Sequence, residues 1–272
     1  MIKKLLPIIF LSTTLWATEY APWFSPLWQF EGRVGYTYSH TERVQSPSGS
    51  FTFTNNYHDL FTSLAATIWP EINLEAELAF VKSDTLPFSY ETLTCTGRRL
   101  LWDEAAGDWI SAVVGATLAL PSGRILRDYN YAYHGYINAE LHVALGKEFS
   151  SPCALDWSWR IWGLFGMGVA EKGSPWTHGI VTFDQALAHN ISLTLFLETL
   201  FGGGGGNINP LQQPFGGYAS IRHQTVDLGG ALHYDMGIYA TLTVLGYINL
   251  YAHNFTAHTF GCNITLLIPF GI

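Results

Sequence analysis

Apolar and polar side chains alternate one by one along several segments of the chain. In the segment 28–38, one set of alternate positions includes Phe30 and Val34, and the other includes Glu31 and Arg33. A period of two residues is typical of a β-strand, because successive side chains of a strand point to opposite faces. Because similar segments recur along most of the chain, we predict an all-β protein.

The predicted strands number about twelve. They are 28–38, 58–69, 72–80, 89–101, 109–120, 137–145, 155–169, 176–186, 191–201, 218–233, 238–248 and 258–270. Short connections alternate with mostly longer ones such as 40–56, 121–133 and 202–217, which is typical of transmembrane barrels. In hydrocarbon every backbone N–H and C=O group must be paired within the protein, and a sheet achieves this only by closing on itself. We therefore predict a closed antiparallel transmembrane β-barrel of about twelve strands in meander order.

The composition favours an outer surface that faces lipid. Apolar residues make up 48% of the 272 residues, aromatic residues 15% and charged residues only 12%. The apolar faces of the clearest strands carry no charge over their middle, where Lys or Arg would cost about 2–4 kcal/mol in a bilayer. The aromatic content excludes a disordered chain, and the formal net charge of −8 excludes a basic nucleic-acid-binding protein. The alternative is a soluble all-β sandwich or barrel with its apolar face inward.

The beginning of the chain has the features of an export signal. Lys3 and Lys4 precede the mostly apolar run Leu5–Leu15, which is too short to span a bilayer. We place the cut after Ala17, so that 1–17 is a signal peptide and 18–272 is one barrel domain. A retained membrane anchor or a buried N-terminal strand is the alternative.

The last strand resembles the assembly signal of Gram-negative outer-membrane β-barrel proteins. Thr259, Gly261, Ile264 and Leu266 match its polar-x-Gly-x-x-apolar-x-apolar pattern, and Phe270 lies near the end, although the chain finishes in Ile rather than Phe. The resemblance implies an outer-membrane location, periplasmic chain ends and insertion by the assembly machinery through the strand Thr259 to Phe270. The aromatic opening, 19–28, is similar to envelope proteins of chlamydia-like bacteria.

The charged side chains on the polar strand faces are the candidate functional residues. The predicted lumen-lining residues are Glu31, Arg33, Glu75, Glu77, Glu140, His142, Arg160, Glu198 and Asp227. Their acidic excess predicts a narrow aqueous lumen that favours cations. The alternative is a polar plug in which acidic and basic groups neutralise one another, as in small filled barrels.

Other kinds of chemistry have weaker support. The histidines form no His-x-x-x-His set and the cysteines no Cys-x-x-Cys set, so we predict neither a metal site nor a cofactor. Barrel lipases place His and Ser two residues apart, and His223 with Thr225 is the nearest substitute here, so we predict no enzyme. Cys153 falls in a predicted periplasmic turn, an oxidising space, and an intermolecular disulfide is our hypothesis for it.

These features predict a porin-like channel for passive diffusion of small solutes. Its expected partners are outer-membrane lipids and the solutes themselves, with no nucleic acid, and self-association into an oligomer stays open. A bore of about twelve strands would lie between filled eight-stranded barrels and open porins of about sixteen strands, so only small molecules should pass. The alternative is a structural or adhesive barrel with a plugged lumen and its function in the loops 39–56, 121–133 and 202–217.

Overall fold

A computed structural model describes residues 20–150, 157–209 and 215–271, apart from the side chains of Trp157 and Ser158. The chain folds into twelve β-strands. In chain order they are β1 Gln29–Ser46, β2 Gly49–Trp69, β3 Ile72–Ser83, β4 Ser89–Trp102, β5 Ser111–Pro121, β6 Asn138–Ser150, β7 Trp157–Ala170, β8 Trp176–Ala188, β9 Ile191–Gly202, β10 Gln224–Asp235, β11 Thr241–His253 and β12 Phe255–Gly271. The described helices are two single 3₁₀ turns, Glu104–Ala106 and Ile125–Arg127, and neither is long and apolar enough to cross a membrane. The predicted signal peptide lies outside the described residues.

The strands form one closed antiparallel barrel. Each strand pairs with its neighbours in sequence, and β1 also pairs with β12. The closing register runs from Gln29 opposite Gly271 to Gln45 opposite Phe255. Closure leaves no strand edge among the described strands, which is the condition for a sheet in hydrocarbon. The predicted barrel of twelve strands in meander order is confirmed.

The outer and inner faces of the barrel wall differ sharply in polarity. On β1, the side chain of Arg33 is buried, at 6% exposure, whereas that of Val34 is 45% exposed. On β3, Glu75 and Glu77 are buried and Leu74 is exposed. An apolar surface of this extent is unfavourable in water but suits a bilayer. The soluble alternative is therefore contradicted, because its apolar face would point inward.

The first hairpin is longer than predicted. Residues 40–56 were expected to form a loop, but β1 and β2 stay paired up to Ser46 opposite Gly49. The outward-facing side chains of the segment, such as Glu42, Thr52 and Thr54, are polar, and its apolar side chains Val44, Phe51 and Phe53 lie on the inner side, so the apolar outer face that marks the other strands is missing. A hairpin that projects beyond the lipid needs no apolar face, which explains the error.

Two other strand boundaries also differ from the prediction. The strand expected from Tyr218 begins only at Gln224, because Tyr218 lies in a connection that folds back into the barrel. The expected loop 251–257 is a tight turn, in which Asn254 has a positive φ of 50°. Asn tolerates this left-handed conformation better than most residues.

Two long connections fold into one end of the barrel, which we call the loop end. These inner loops are 122–137 and 203–223, of which 210–214 is outside the described residues. Their side chains and those of the strands make an apolar cluster, whose buried members are Val44, Tyr129, Ile208, Phe215, Tyr218, Ile221 and Phe255. A second cluster holds Tyr57, Val81, Ile125 and Tyr131. The loop end is therefore closed by packed apolar side chains.

The opposite end, which we call the turn end, is entered by the segment 20–28 that precedes β1. Tyr20 is buried inside the barrel, with its ring centroid 5.1 Å from that of His142. The guanidinium of Arg98 lies 5.2 Å from the ring centroid of Phe24, and that of Arg160 lies 4.8 Å from the ring centroid of Trp23. The segment therefore occupies the lumen through cation–π and aromatic contacts.

Candidate functional site

The lumen contains two cavities that meet at Phe61. The larger, which we call the vestibule, has a volume of about 540 Å³ and is lined by residues near the turn end, including Trp23 and Arg160. The smaller, which we call the inner chamber, has a volume of about 90 Å³ and lies on the loop side of Phe61. The Phe61 ring covers Gly35 on β1 so closely that a Cβ at that position would overlap it. Gly35 therefore gives Phe61 the room to separate the two cavities.

The inner chamber is lined by acidic side chains from six strands. They are Asp59, Glu77, Glu91, Glu140, Glu198 and Asp227. Among the described residues that line the chamber there is no Lys or Arg, and His178 is the one basic side chain. Like charges in a confined space repel one another unless protons or cations compensate them. The chamber is therefore a strongly acidic compartment within the barrel.

His178 on β8 connects two of these carboxylates. Its Nδ1 lies 3.3 Å from Oε1 of Glu140, and its Nε2 lies 3.1 Å from Oε1 of Glu198. Carboxylates accept hydrogen bonds, so both ring nitrogens donate, and an imidazole that donates from both nitrogens is the cationic form. The indole Nε1 of Trp176 also donates to Oε2 of Glu140, at 3.1 Å. This side of the chamber is thus partly neutralised and held in place.

Neutral groups also orient some of the carboxylates. The hydroxyl of Tyr131 donates to Oδ1 of Asp59 at 2.7 Å. Thr225 Oγ1 and Asn249 Nδ2 each donate to Asp227 at 2.8 Å. Neutral donors fix the direction of a carboxylate without removing its charge.

The arginines of the lumen lie on the turn side of the chamber. Arg33 pairs with Glu75 at 3.0 Å and with Glu31 at 2.9 Å. Arg160 pairs with Glu148 at 2.7 Å. Arg98 donates to Asn73 Oδ1 at 2.8 Å and to the backbone carbonyl of Ala21 at 3.3 Å. Positive and negative side chains are thus mixed near the vestibule.

The predicted lumen residues fall into three groups in the structure. Glu77, Glu140, Glu198 and Asp227 line the inner chamber. Arg33 and Arg160 line the vestibule, and Arg33 forms ion pairs with Glu31 and Glu75. His142 is buried against the ring of Tyr20. Cys153 lies outside the described residues, and Cys95 and Cys262 are free thiols on the exposed surface.

Sequence reasoning missed Asp59, Glu91 and His178. Asp59 shares the alternate positions of β2 with Phe61 and Ser63, so the period of two residues contained the signal. Glu91 could not be placed by counting, because a bulge sets Ala79 opposite Thr92 but Phe80 opposite Tyr90. A bulge adds one residue and breaks the alternation. Among the described residues, no group of three or more His, Cys, Asp and Glu side chains is arranged to hold a metal ion.

No protein-family model and no curated protein sequence matches the chain. Solved structures do match: an outer membrane channel from Pseudomonas putida F1 has a TM-score of 0.64 at 14% sequence identity, covering 98% of this chain and 100% of that chain. The NanC porin has a TM-score of 0.54 at 8% identity, covering 87% of this chain and 98% of that chain. Such identities show the fold alone, which is that of an outer-membrane β-barrel. Together with the apolar outer surface, it places the protein in the bacterial outer membrane. The narrower resemblance to chlamydia-like envelope proteins stays a prediction.

Proposed function

We propose that the protein is an outer-membrane channel for small solutes and that its lumen favours cations. The observation that carries this proposal is the inner chamber, whose walls hold six carboxylic side chains and one basic residue. Rings of acidic side chains attract cations and repel anions at a constriction. The neighbouring vestibule gives a second water-accessible space on the turn side of Phe61.

Both ends of the lumen are occupied by the protein's own segments. Residues 20–28 lie in the turn end, and the inner loops close the loop end. Passage therefore requires the segments at both ends to move, and only small solutes fit the chamber between them. We infer a channel that opens intermittently rather than a permanently open pore.

The adhesive alternative is weakened by where the loops go. It assigned the function to the loops 39–56, 121–133 and 202–217, but Ile125, Tyr131 and Ile208 are buried inside the barrel. The first of these three loops, 39–56, is part of the paired β1–β2 hairpin. A loop that packs inside the lumen offers little surface to a partner, so the channel is the better interpretation.

An enzymatic role has little support in the lumen. The hydroxyl of Thr225 donates to Asp227 and not to His223, the nearest histidine in sequence. Thr194 lies 2.9 Å from Nε2 of His233, but its hydroxyl donates to Asp184 at 2.6 Å. A nucleophile must give its proton to its base, and neither threonine is placed to do so. We infer that the protein is not an enzyme.

Reversal potentials in a planar bilayer under a KCl gradient test the channel. We expect K⁺ to be preferred over Cl⁻, and we expect the triple variant Glu77→Gln, Glu91→Gln, Asp227→Asn to move the reversal potential toward zero. Glu71→Gln is the matched control, because Glu71 is a surface residue at the turn end with a side chain 63% exposed. An anion preference, or no conductance under any voltage, would overturn the proposal.

A further inference from the structure

Basic side chains are engaged differently at the two ends of the barrel. Those that form ion pairs with acidic neighbours lie toward the turn end, and they are Arg33, Arg99, Lys147 and Arg160. Near the loop end, the side chains of Arg124 and Arg127 form neither an ion pair nor a hydrogen bond with any residue that the structure describes. Their charges are therefore available to a partner outside the chain.

The two arginines stand on the same side of a 3₁₀ turn. The turn Ile125–Arg127 belongs to the inner loop 122–137, and the backbone N–H of Arg127 donates to the carbonyl of Arg124 at 3.1 Å. Side chains three residues apart eclipse in a 3₁₀ turn, and both arginines are exposed. Ile125 between them is fully buried in the cluster that contains Tyr57 and Tyr131. Ile125 therefore anchors the turn and directs both guanidinium groups away from the lumen.

The guanidinium groups line a groove on the outer side of the barrel wall. The groove has a volume of about 520 Å³, and the residues around it are Ser89, Tyr90, Ser122, Gly123, Arg124, Arg127 and Tyr136. Tyr136 is exposed, and Tyr90 belongs to the face of β4 opposite to the buried Glu91. None of the residues that line the groove is acidic.

The acidic residues beside the groove are turned away from it or engaged elsewhere. Glu91 lines the inner chamber, and Asp128 is buried and accepts a hydrogen bond from the hydroxyl of Tyr57 at 2.7 Å. Glu171 accepts hydrogen bonds from the backbone N–H groups of Tyr136 and Ile137, each at 2.8 Å. The groove is thus a positive site that suits an anionic group.

The wall next to the groove indicates that the anion belongs to a lipid. On its turn side, Leu118 is exposed on the outer face of β5. Phe88, which is 61% exposed, stacks on Phe80 with the ring centroids 5.6 Å apart. Tyr90 donates to the carbonyl of Leu120 at 2.6 Å, and tyrosines are typical of the boundary between lipid and water. An anionic head group in the groove would have its acyl chains along this apolar wall, whereas a free anion would leave the wall uncovered.

We propose that this groove binds the phosphate of an outer-leaflet lipid, which accepts hydrogen bonds from the guanidinium groups of Arg124 and Arg127. The planar fork of a guanidinium matches the geometry of a phosphate, and basic clusters beside a membrane attract anionic head groups. The loop end faces the outer leaflet in the orientation that places both chain ends in the periplasm. Because the groove lies outside the barrel, the site does not depend on the proposed channel.

Native mass spectrometry of the refolded barrel in detergent tests this assignment. The probes are lipid A, an acylated glucosamine disaccharide that carries phosphates, and the same lipid after enzymatic removal of its phosphates. We expect the phosphorylated lipid to bind at least about tenfold more tightly, because the charge-assisted hydrogen bonds are lost with the phosphate. Inorganic phosphate at the same concentration should not displace it. Equal binding of the two lipids, or displacement by inorganic phosphate, would overturn the proposal.

Variants localise the binding to the groove. The double variant Arg124→Met, Arg127→Met should bind the phosphorylated lipid about tenfold more weakly. The control is Arg99→Met, Arg222→Met, which removes the same net charge from two exposed positions outside the groove and should bind as the unmodified protein does. Heat-modified mobility on a detergent gel checks that each variant is folded. An equal loss in both double variants would indicate a general attraction by net charge, and an unchanged affinity in the first would place the lipid elsewhere, so either result rejects the site.

Discussion

The two ends of this barrel are closed by different physical means. At the loop end the inner loops pack aromatic and aliphatic side chains such as Tyr129, Phe215 and Tyr218 into a buried apolar cluster. At the turn end the segment 20–28 is held by arginines, through the contacts of Arg98 with Ala21 and Phe24 and of Arg160 with Trp23. The acidic chamber lies between these two closures.

The difference shows which conditions should open each end. An apolar cluster loses stability when side-chain volume is removed or when a buried group acquires charge. A segment held by cation–π contacts and hydrogen bonds loses stability when its arginines are removed, and the loss is smaller because each contact is weaker. The loop end should therefore be the tighter gate, and the turn end the looser one.

The largest expected effect is at the loop end. Tyr218 is fully buried, and its hydroxyl donates to the backbone carbonyl of Tyr129 at 2.6 Å, which ties the two inner loops together. Tyr218→Ala should destabilise the closed loops by about 3–5 kcal/mol, as for other large aromatic side chains removed from a core. Single-channel recording should show higher conductance or a higher open fraction.

Tyr239→Ala is the matched control for this prediction. Tyr239 is 75% exposed and lies in the connection between β10 and β11 at the turn end. It loses the same atoms without opening a cavity, so its conductance should not change. If Tyr218→Ala also conducts like the unmodified protein, the loop cluster is not a gate.

A second effect at the loop end should depend on pH. His134 and His223 come from the two inner loops, and their ring centroids are 5.1 Å apart. Burial lowers the pKa of His134 to about 4, although its hydrogen bond with the Ser174 carbonyl opposes the shift. Burial, together with the neighbouring His134, also lowers the pKa of His223 to about 4. The aromatic rings of Trp176, Tyr218 and Phe255 pack against the two histidines, and none of these three residues has a carboxylate that would neutralise a protonated imidazole.

The direction of the pH effect depends on whether the histidines bind protons more readily in the open state or in the closed state. With an ordinary pKa of 6.5, an exposed histidine is protonated between pH 6.5 and pH 4, whereas the closed loops keep both rings neutral. The closed state is therefore fully stable above pH 6.5, loses stability as the pH falls toward 4, and loses no more below that. Open probability in a bilayer should rise from pH 7 to pH 4.5.

The double variant His134→Gln, His223→Gln separates this effect from the carboxylates of the chamber, which it leaves in place. Its open probability should vary less with pH than that of the unmodified protein. An identical pH profile in the two proteins would show that the histidine pair is not responsible.

The sequence predicted the barrel wall much better than its contents. Alternation such as Arg33 beside Val34 reports which face a side chain occupies, and a repeated period of two residues leads directly to the strands and to the polar lumen. Glu77, Glu140 and Glu198 could be assigned to the inner face in this way. Glu91 could not, because a bulge shifts its register, and such a shift depends on the partner strand.

The plugging segments could not be predicted for a different reason. Tyr131 lies in a predicted loop and Tyr218 was assigned to the start of a strand, and nothing in their own neighbourhood distinguishes a connection that enters the barrel from one that leaves it. Tyr20 and Trp23 precede the first strand and find their partners on strands far along the chain. Contacts of this kind depend on the closed barrel and not on local sequence.

The smallest expected effect is at the turn end and compares two adjacent arginines. Arg98 is 4% exposed and holds Ala21 and Phe24, whereas the Arg99 side chain is 65% exposed and pairs with Glu71 at 3.6 Å. Arg98→Met keeps an unbranched apolar stem but removes the guanidinium, and with it the hydrogen bond and the cation–π contact, so it should loosen the segment by about 1–2 kcal/mol. Arg99→Met removes a surface ion pair worth about 0–1 kcal/mol and should leave the segment unchanged.

Hydrogen exchange of the peptide containing 20–28, followed by mass spectrometry, should be faster in the first variant only. Equal exchange in both variants would show that the arginine does not hold the turn end closed.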